Sequence, residues 1–105
     1  MNILFVCSRN KWRSATAETI FKNHPIHQVR SAGTEPSARI KLSAKLLNWA
    51  DLIFVMERKH KQRIREKFAH QIEHAAIIVL DIPDEYQYMD EALIEELRAK
   101  VSDHL

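Results

Sequence analysis

Short, unbroken apolar runs alternate along this chain with segments whose apolar residues recur at helical spacing, and that alternation restricts the fold more than any other feature. "NILFV" from Asn2, "DLIFVM" from Asp51 and "AAIIVLDI" from Ala75 are runs of the kind that forms strands covered on both faces. "PIHQVRSAG" carries Ile26 and Val29 and closes on Gly33, the only glycine of the chain, so it reads as a further strand ended by a turn. Between these runs, "SATAETIFKN" has helical spacing through Ala17, Ile20 and Phe21. "PSARIKLSAKLLNWA" opens on Pro36 and Ser37 as a helix start, with Ile40, Ala44 and Leu47 as its apolar stripe. "ERKHKQRIREKFAHQI" has only Ile64 and Phe68 on an otherwise charged face, and the last helix aligns Leu93, Leu97 and Val101. Strand–helix alternation implies an α/β fold: a single-domain three-layer sandwich over residues 1–105, with a central four-stranded parallel sheet and helices on both faces.

The chain of 105 residues is large enough for one core and too small for two. A formal net charge of +2 does not point to nucleic acid or a membrane surface. No apolar run reaches membrane-spanning length and "MNILFV" lacks the features of a signal peptide, so a cytoplasmic monomer is expected. One cysteine forms no internal disulfide and supplies no multi-cysteine zinc site, and neither a metal nor a cofactor is expected. Cys7 is therefore either a small buried hydrophobe or a reactive thiolate.

Its position favours the second. Ligands of open α/β sheets gather at the carboxyl ends of the strands, and Cys7 ends the first strand where the loop feeds the first helix. A helix N-terminus offers backbone N–H groups and a positive dipole end, suited to a phosphate or a thiolate. Five residues, Ser8, Arg9, Asn10, Lys11 and Trp12, separate Cys7 from Arg13. A loop of that length wraps a phosphate with its amides pointing inward. Arg13 then clamps two phosphate oxygens, Ser14 donates its hydroxyl to the thiolate, and Cys7 attacks phosphorus to give a cysteinyl-phosphate that water releases.

The stretch "VCSRNKWRSATAE" resembles the signature V-C-x-G-N-x-C-R-S-P-x-A-E of the low-molecular-weight protein tyrosine phosphatase family, through Val6, Cys7, Asn10, Arg13, Ser14, Ala17 and Glu18. "SAGT" at Ser31–Thr34, "DLIFVM" and "IPDEY" at Ile82–Tyr86 follow in the order of that family's SAGT turn, third strand and acid loop V-P-D-P-Y. The resemblance implies a phosphatase acting on aryl phosphate monoesters of the phosphotyrosine type. Cys7 would be its nucleophile, Arg13 its phosphate clamp, Ser14 the thiolate partner, Asn10 the loop stabiliser and Asp84 the general acid, with Asp81 as the alternative acid. Tyr86 matches an aromatic flanking the family's cleft, with Tyr88 a weaker candidate. The chain departs from the pattern at Arg9, which replaces a loop glycine expected at positive φ, at Trp12, which replaces a second cysteine, and at Ala15 and Glu85, which replace prolines.

Blander readings stand beside these. Asp84 suits a turn, and Trp12 and Tyr86 suit rim packing. His60, on a charged helix, is expected in solvent, and Trp49 in the core. The basic run from Arg58 to Lys67, interrupted by Glu66, reads as a solvated face; its alternative is a nucleic-acid or oxyanion-binding module on the same fold without turnover. Arsenate reduction, a chemistry of relatives of the resembled family, needs further cysteines that this chain lacks.

Overall fold

The computed structural model describes residues 1–105. Strands β1 (Asn2–Cys7), β2 (Gln28–Gly33), β3 (Leu52–Val55) and β4 (Ala76–Val79) form one sheet in the order β2-β1-β3-β4, and every pairing is parallel. Helices α1 (Arg13–Phe21), α2 (Ala44–Trp49), α3 (Arg58–Phe68) and α4 (Glu91–Val101) connect and cover the strands, with short 3₁₀ turns at Ala69–Ile72 and Ser102–His104. This is the expected three-layer α/β architecture.

Alternate side chains of each apolar run enter different cores, which is why the runs carry no polar face. Ile3, Phe5, Cys7, Leu52 and Phe54 face α1 and α4, where Ala17, Leu93, Leu97 and Val101 meet them. Leu4, Val6, Ile53 and Val55 face the other way, onto Leu47 of α2 and Ile64 of α3. Phe5 stacks between Phe21 and Phe54, with ring centroids 5.7 and 5.3 Å away. Each such fully buried side chain contributes about 1.5–3 kcal/mol by leaving water.

The chain passes from β1 to β2 on one side and then returns to place β3 on the other side of β1. The loops leaving β1 and β3 thus diverge, opening a crevice at the carboxyl ends of these two strands. Register holds their ends level: Val6 pairs with Val55, Val55 with Val79, and Cys7 with Gly33.

Three sequence expectations need correction. The helix expected from Pro36 begins only at Ala44, where the Ser43 side chain accepts the Leu46 N–H at 3.2 Å as its N-cap. The preceding residues instead run beside the end of β2: Gly33 N–H donates to Ile40 O at 2.8 Å and Leu42 N–H to Gly33 O at 2.9 Å. Ile40, assigned to the helical stripe, is consequently exposed. Ile26 is also exposed, because β2 starts two residues later at Gln28. Trp49 is half-buried rather than interior, packed on the second core with the Arg30 guanidinium 4.6 Å from its ring centroid.

Candidate active site

The loop between β1 and α1 turns at Asn10, whose φ is 55°. Asparagine tolerates this left-handed conformation better than most residues. Arg9, expected to carry the strain of replacing a glycine, is not at positive φ, so the substitution imposes no such cost. Asn10 is fully buried and serves the loop twice: its backbone N–H points at Cys7 Sγ at 3.3 Å, and its Nδ2 donates to Ser14 Oγ at 2.7 Å. Ser14 Oγ, which accepts from Asn10, lies 3.0 Å from Cys7 Sγ and 3.4 Å from the Ala32 carbonyl, so its one hydrogen has two acceptors within reach. The Asn10 N–H and, when its hydrogen turns from the Ala32 carbonyl, the Ser14 hydroxyl both aim at the sulfur. Trp12 precedes α1 without a side-chain cap, leaving the amides of the helix start uncovered by any competing group.

A second layer of backbone holds the loop from behind. Thr34 N–H donates to Cys7 O, Glu35 N–H to Ser8 O and Arg39 N–H to Arg9 O, at 3.0, 2.8 and 3.0 Å, while Arg39 Nε reaches Asn10 O at 3.1 Å. The approach is so close at Gly33 that an added Cβ would lie 2.6 Å from Ser8 O and 2.7 Å from the Ala38 Cβ. The single glycine of the chain is thus placed by contact with the loop and not by a special φ. Sequence reading identified Gly33 only as a turn; its role in admitting the loop backbone is set by a tertiary approach.

Arg13 is 2% exposed. Its Nη1 donates to Glu57 Oε2 at 2.6 Å and to the Ile82 carbonyl at 2.8 Å, and its Nε lies 3.7 Å from Asp84 Oδ1. Burial raises the Glu57 pKa, but the hydrogen bond and charge of Arg13, with Lys59 adding, outweigh it and hold the carboxyl below its usual range. With Nη1 occupied, the Nε and Nη2 donors are left to form a fork.

The loop opens into a cleft of about 390 Å3 lined by Cys7, Ser8, Arg9, Lys11, Trp12, Arg13, Glu35, Lys59 and Asp84. Asp84 stands on this wall and is half-exposed, whereas Asp81, at φ 55°, lies apart from it, beside Arg58 and Lys61. Tyr86 is not among the lining residues. It packs against the α4-side core and its hydroxyl donates to Glu96 Oε2 at 2.9 Å; that bond raises the phenol pKa and, after Lys100, helps lower that of Glu96. Tyr88, paired with Thr19 Oγ1 at 2.7 Å, and Met89, whose N–H donates to Thr16 Oγ1 at 2.9 Å, tie the Asp84 loop to α1. Asn10 and Ser14 lie behind the cleft surface, as the loop's internal support.

His60 corrects the sequence reading most. Expected in solvent, it is completely buried, with Nε2 2.9 Å from Ser8 Oγ and Nδ1 accepting the Glu57 N–H at 3.1 Å. Burial first, and the Arg13 charge second, push its pKa down to about 4, so the ring is neutral. Glu57 and His60 form a capping box at the start of α3. That E-x-x-H spacing directly after an apolar strand was the available signal, masked by the basic residues around it. Glu35, bonded to Arg63 at 2.6 Å, and Lys59 are the other cleft residues that sequence reading passed over. No helix is long and apolar enough to cross a membrane.

Neither a protein-family model nor a curated protein sequence matches the chain. Solved structures do. The tyrosine phosphatase Wzb from Escherichia coli K30, in complex with phosphate, superimposes with a TM-score of 0.80 at 21% identity over 98% of this chain and 94% of that one. A low molecular weight protein tyrosine phosphatase from Streptococcus pyogenes gives 0.78 at 16% identity, covering 99% and 93%. A YwlE mutant from Bacillus subtilis gives 0.72 at 24% identity, covering 99% and 98%. Over nearly its whole length, therefore, the chain has the fold of the low molecular weight protein tyrosine phosphatases.

Proposed function

We propose that this chain is a cysteine-dependent phosphatase that hydrolyses aryl phosphate monoesters through a cysteinyl-phosphate intermediate. The observation that carries the reading is the convergence on Cys7 Sγ of Ser14 Oγ and the Asn10 N–H, in a cleft that the buried Cys7 and Arg13 line together. In this mechanism the loop amides and the Nε and Nη2 donors of Arg13 bind the phosphoryl oxygens, and Glu57 keeps the guanidinium in place from behind. Cys7 Sγ forms the S–P bond as the P–O bond to the aryl group breaks, and Asp84 gives its proton to the departing oxygen. Water then attacks phosphorus, Asp84 takes back a proton, and the S–P bond breaks to release phosphate.

Of the neighbours with the same fold, Wzb is named a tyrosine phosphatase and YwlE an arginine phosphatase. Two features of the cleft support the choice of an aryl leaving group. Trp12, 40% exposed on its rim, offers an aromatic wall, and the cations Arg9, Lys11, Arg13 and Lys59 outnumber the carboxylates Glu35 and Asp84 around the same opening, a balance that disfavours a guanidinium. The test is turnover of phenyl phosphate against phosphoarginine, with Cys7→Ser, Arg13→Ala and vanadate inhibition alongside. The expected result is aryl phosphate hydrolysis that vanadate blocks and Cys7→Ser abolishes, with little phosphoarginine hydrolysis. Wild-type turnover by Cys7→Ser would overturn the mechanism; faster phosphoarginine hydrolysis would overturn the choice of leaving group. Phosphate binding without any turnover would leave the fold as an oxyanion-binding module.

A further inference from the structure

We propose that the Ser8 hydroxyl is a substrate contact, a donor to an oxygen of the bound phosphoryl group, and that His60 is the positioning residue that aims it. The proposal rests on the phosphatase reading of the cleft but adds a side-chain donor to the loop amides and Arg13.

The proton positions follow from the hydrogen-bond partners. Glu57 N–H is a donor and nothing else, so the His60 Nδ1 that it meets at 3.1 Å must accept. In a neutral imidazole the ring proton then sits on Nε2, and Nε2–H donates to Ser8 Oγ at 2.9 Å. Burial and the neighbouring Arg13 charge keep the ring neutral. Ser8 Oγ therefore accepts from behind, and its single hydrogen is left over. Ser8 is half-buried and lines the cleft directly beside Cys7, so that hydrogen has the phosphoryl site in front of it.

The same geometry excludes a second nucleophile. A histidine activates a serine by accepting its proton, and here the nitrogen facing Ser8 already carries one while the other is held by the α3 cap. His60 thus orients Ser8 without deprotonating it. Through Glu57 it also touches the opposite side of the phosphoryl site, since the Glu57 carboxylate carries Arg13. One imidazole braces both the hydroxyl next to the nucleophile and the support of the guanidinium clamp.

The two nitrogens can be tested separately. Asparagine at position 60 presents an acceptor near the place of Nδ1 and cannot reach Ser8; glutamine presents a donor near the place of Nε2 and does not mimic the cap. Ser8→Ala is expected to lower kcat/KM for phenyl phosphate about tenfold, mostly in kcat, and to weaken vanadate more than phosphate, because five-coordinate vanadate reproduces the equatorial oxygens of the transition state that the hydroxyl meets. His60→Asn should give the same loss near neutral pH with a smaller drop in Tm than His60→Gln, because it keeps the α3 cap, and adding it to Ser8→Ala should cost little more activity. His60→Gln should lose Tm yet recover turnover relative to His60→Asn, and Ser8→Thr should recover it relative to Ser8→Ala. Equal vanadate affinity and kcat/KM in wild type and Ser8→Ala would overturn the proposal, as would His60 variants whose activity simply follows their Tm. Calorimetric binding of vanadate and phosphate keeps this separate from the phosphatase reading. A wild-type protein that binds neither overturns both, whereas one that binds and turns over with no effect of Ser8→Ala overturns only the role of Ser8.

Discussion

Replacing His60 by asparagine should remove a defined part of the pH dependence of stability. The imidazole pKa lies at about 4 in the folded chain against 6.5 for a free side chain, because burial and Arg13 disfavour the cation, with Lys59 and Arg63 adding to them and only the Glu57 carboxylate opposing. The sign follows from proton counting. Between these two values the unfolded chain binds a proton that the folded chain refuses, so stability falls as pH drops from about 6.5 to about 4. The full linkage corresponds to roughly 3 kcal/mol, of which roughly 2 kcal/mol is lost between about pH 7 and about pH 5. Glu57, whose pKa is lowered, contributes stability that disappears only at more acid pH, below its ordinary value of 4.5, and so stays outside this window. The assay is urea unfolding at several pH values for wild type and His60→Asn. The other five histidines are common to both proteins and largely cancel in the difference. Wild type should lose roughly 2 kcal/mol more than the variant over that range. Parallel stability curves would refute the assignment of a buried, neutral imidazole.

Further outcomes follow from the cleft. Asp84→Asn should slow phenyl phosphate by about 100-fold or more while affecting an activated nitrophenyl ester far less, because only the poor leaving group needs the proton; the same selectivity at Asp81 would transfer the role there. Gly33→Ala should destabilise the fold by about 1–3 kcal/mol in urea unfolding and weaken phosphate binding, since its Cβ meets the carbonyl of Ser8 and the side chain of Ala38, and wild-type values for both would show that the loop tolerates displacement. Peroxide should abolish the proposed turnover in a form that dithiothreitol soon fails to reverse, with phosphate protecting, because Trp12 replaces the second cysteine of the resembled signature and Cys7 is the only thiol. Full recovery after long exposure, checked by intact mass, would point instead to an unreactive thiol or a sulfenamide.

The sheet was legible because both of its faces are dry: continuous apolar runs such as "NILFV" have no other economical use in a chain that also carries helical spacing. The Cys7–Arg13 loop was legible because it is contiguous and sits at a strand end. What escaped is tertiary. Pro36 and Ser37 look like a helix start, but the backbone of the following residues is taken up by Gly33 and by Arg9 of the loop. His60 lies among exposed cations in sequence, and its burial depends on Ser8, more than fifty residues away in the chain, and on the Glu57 cap. Arg9 escapes strain because the left-handed turn falls one residue later, on Asn10. Tyr86 matched an aromatic pattern, yet α4 supplies Glu96 as its partner and draws it from the cleft lining.

The most direct measurement is an acid quench during steady turnover of an activated aryl phosphate, followed by peptide mass analysis, in wild type, Asp84→Asn and Cys7→Ala. Covalent catalysis at Cys7 requires one phosphoryl group on the peptide containing Cys7, present in wild type, retained in Asp84→Asn and absent from Cys7→Ala along with turnover. Turnover that proceeds with no phosphoryl group on Cys7 at any quench time, or that survives in Cys7→Ala, would contradict it.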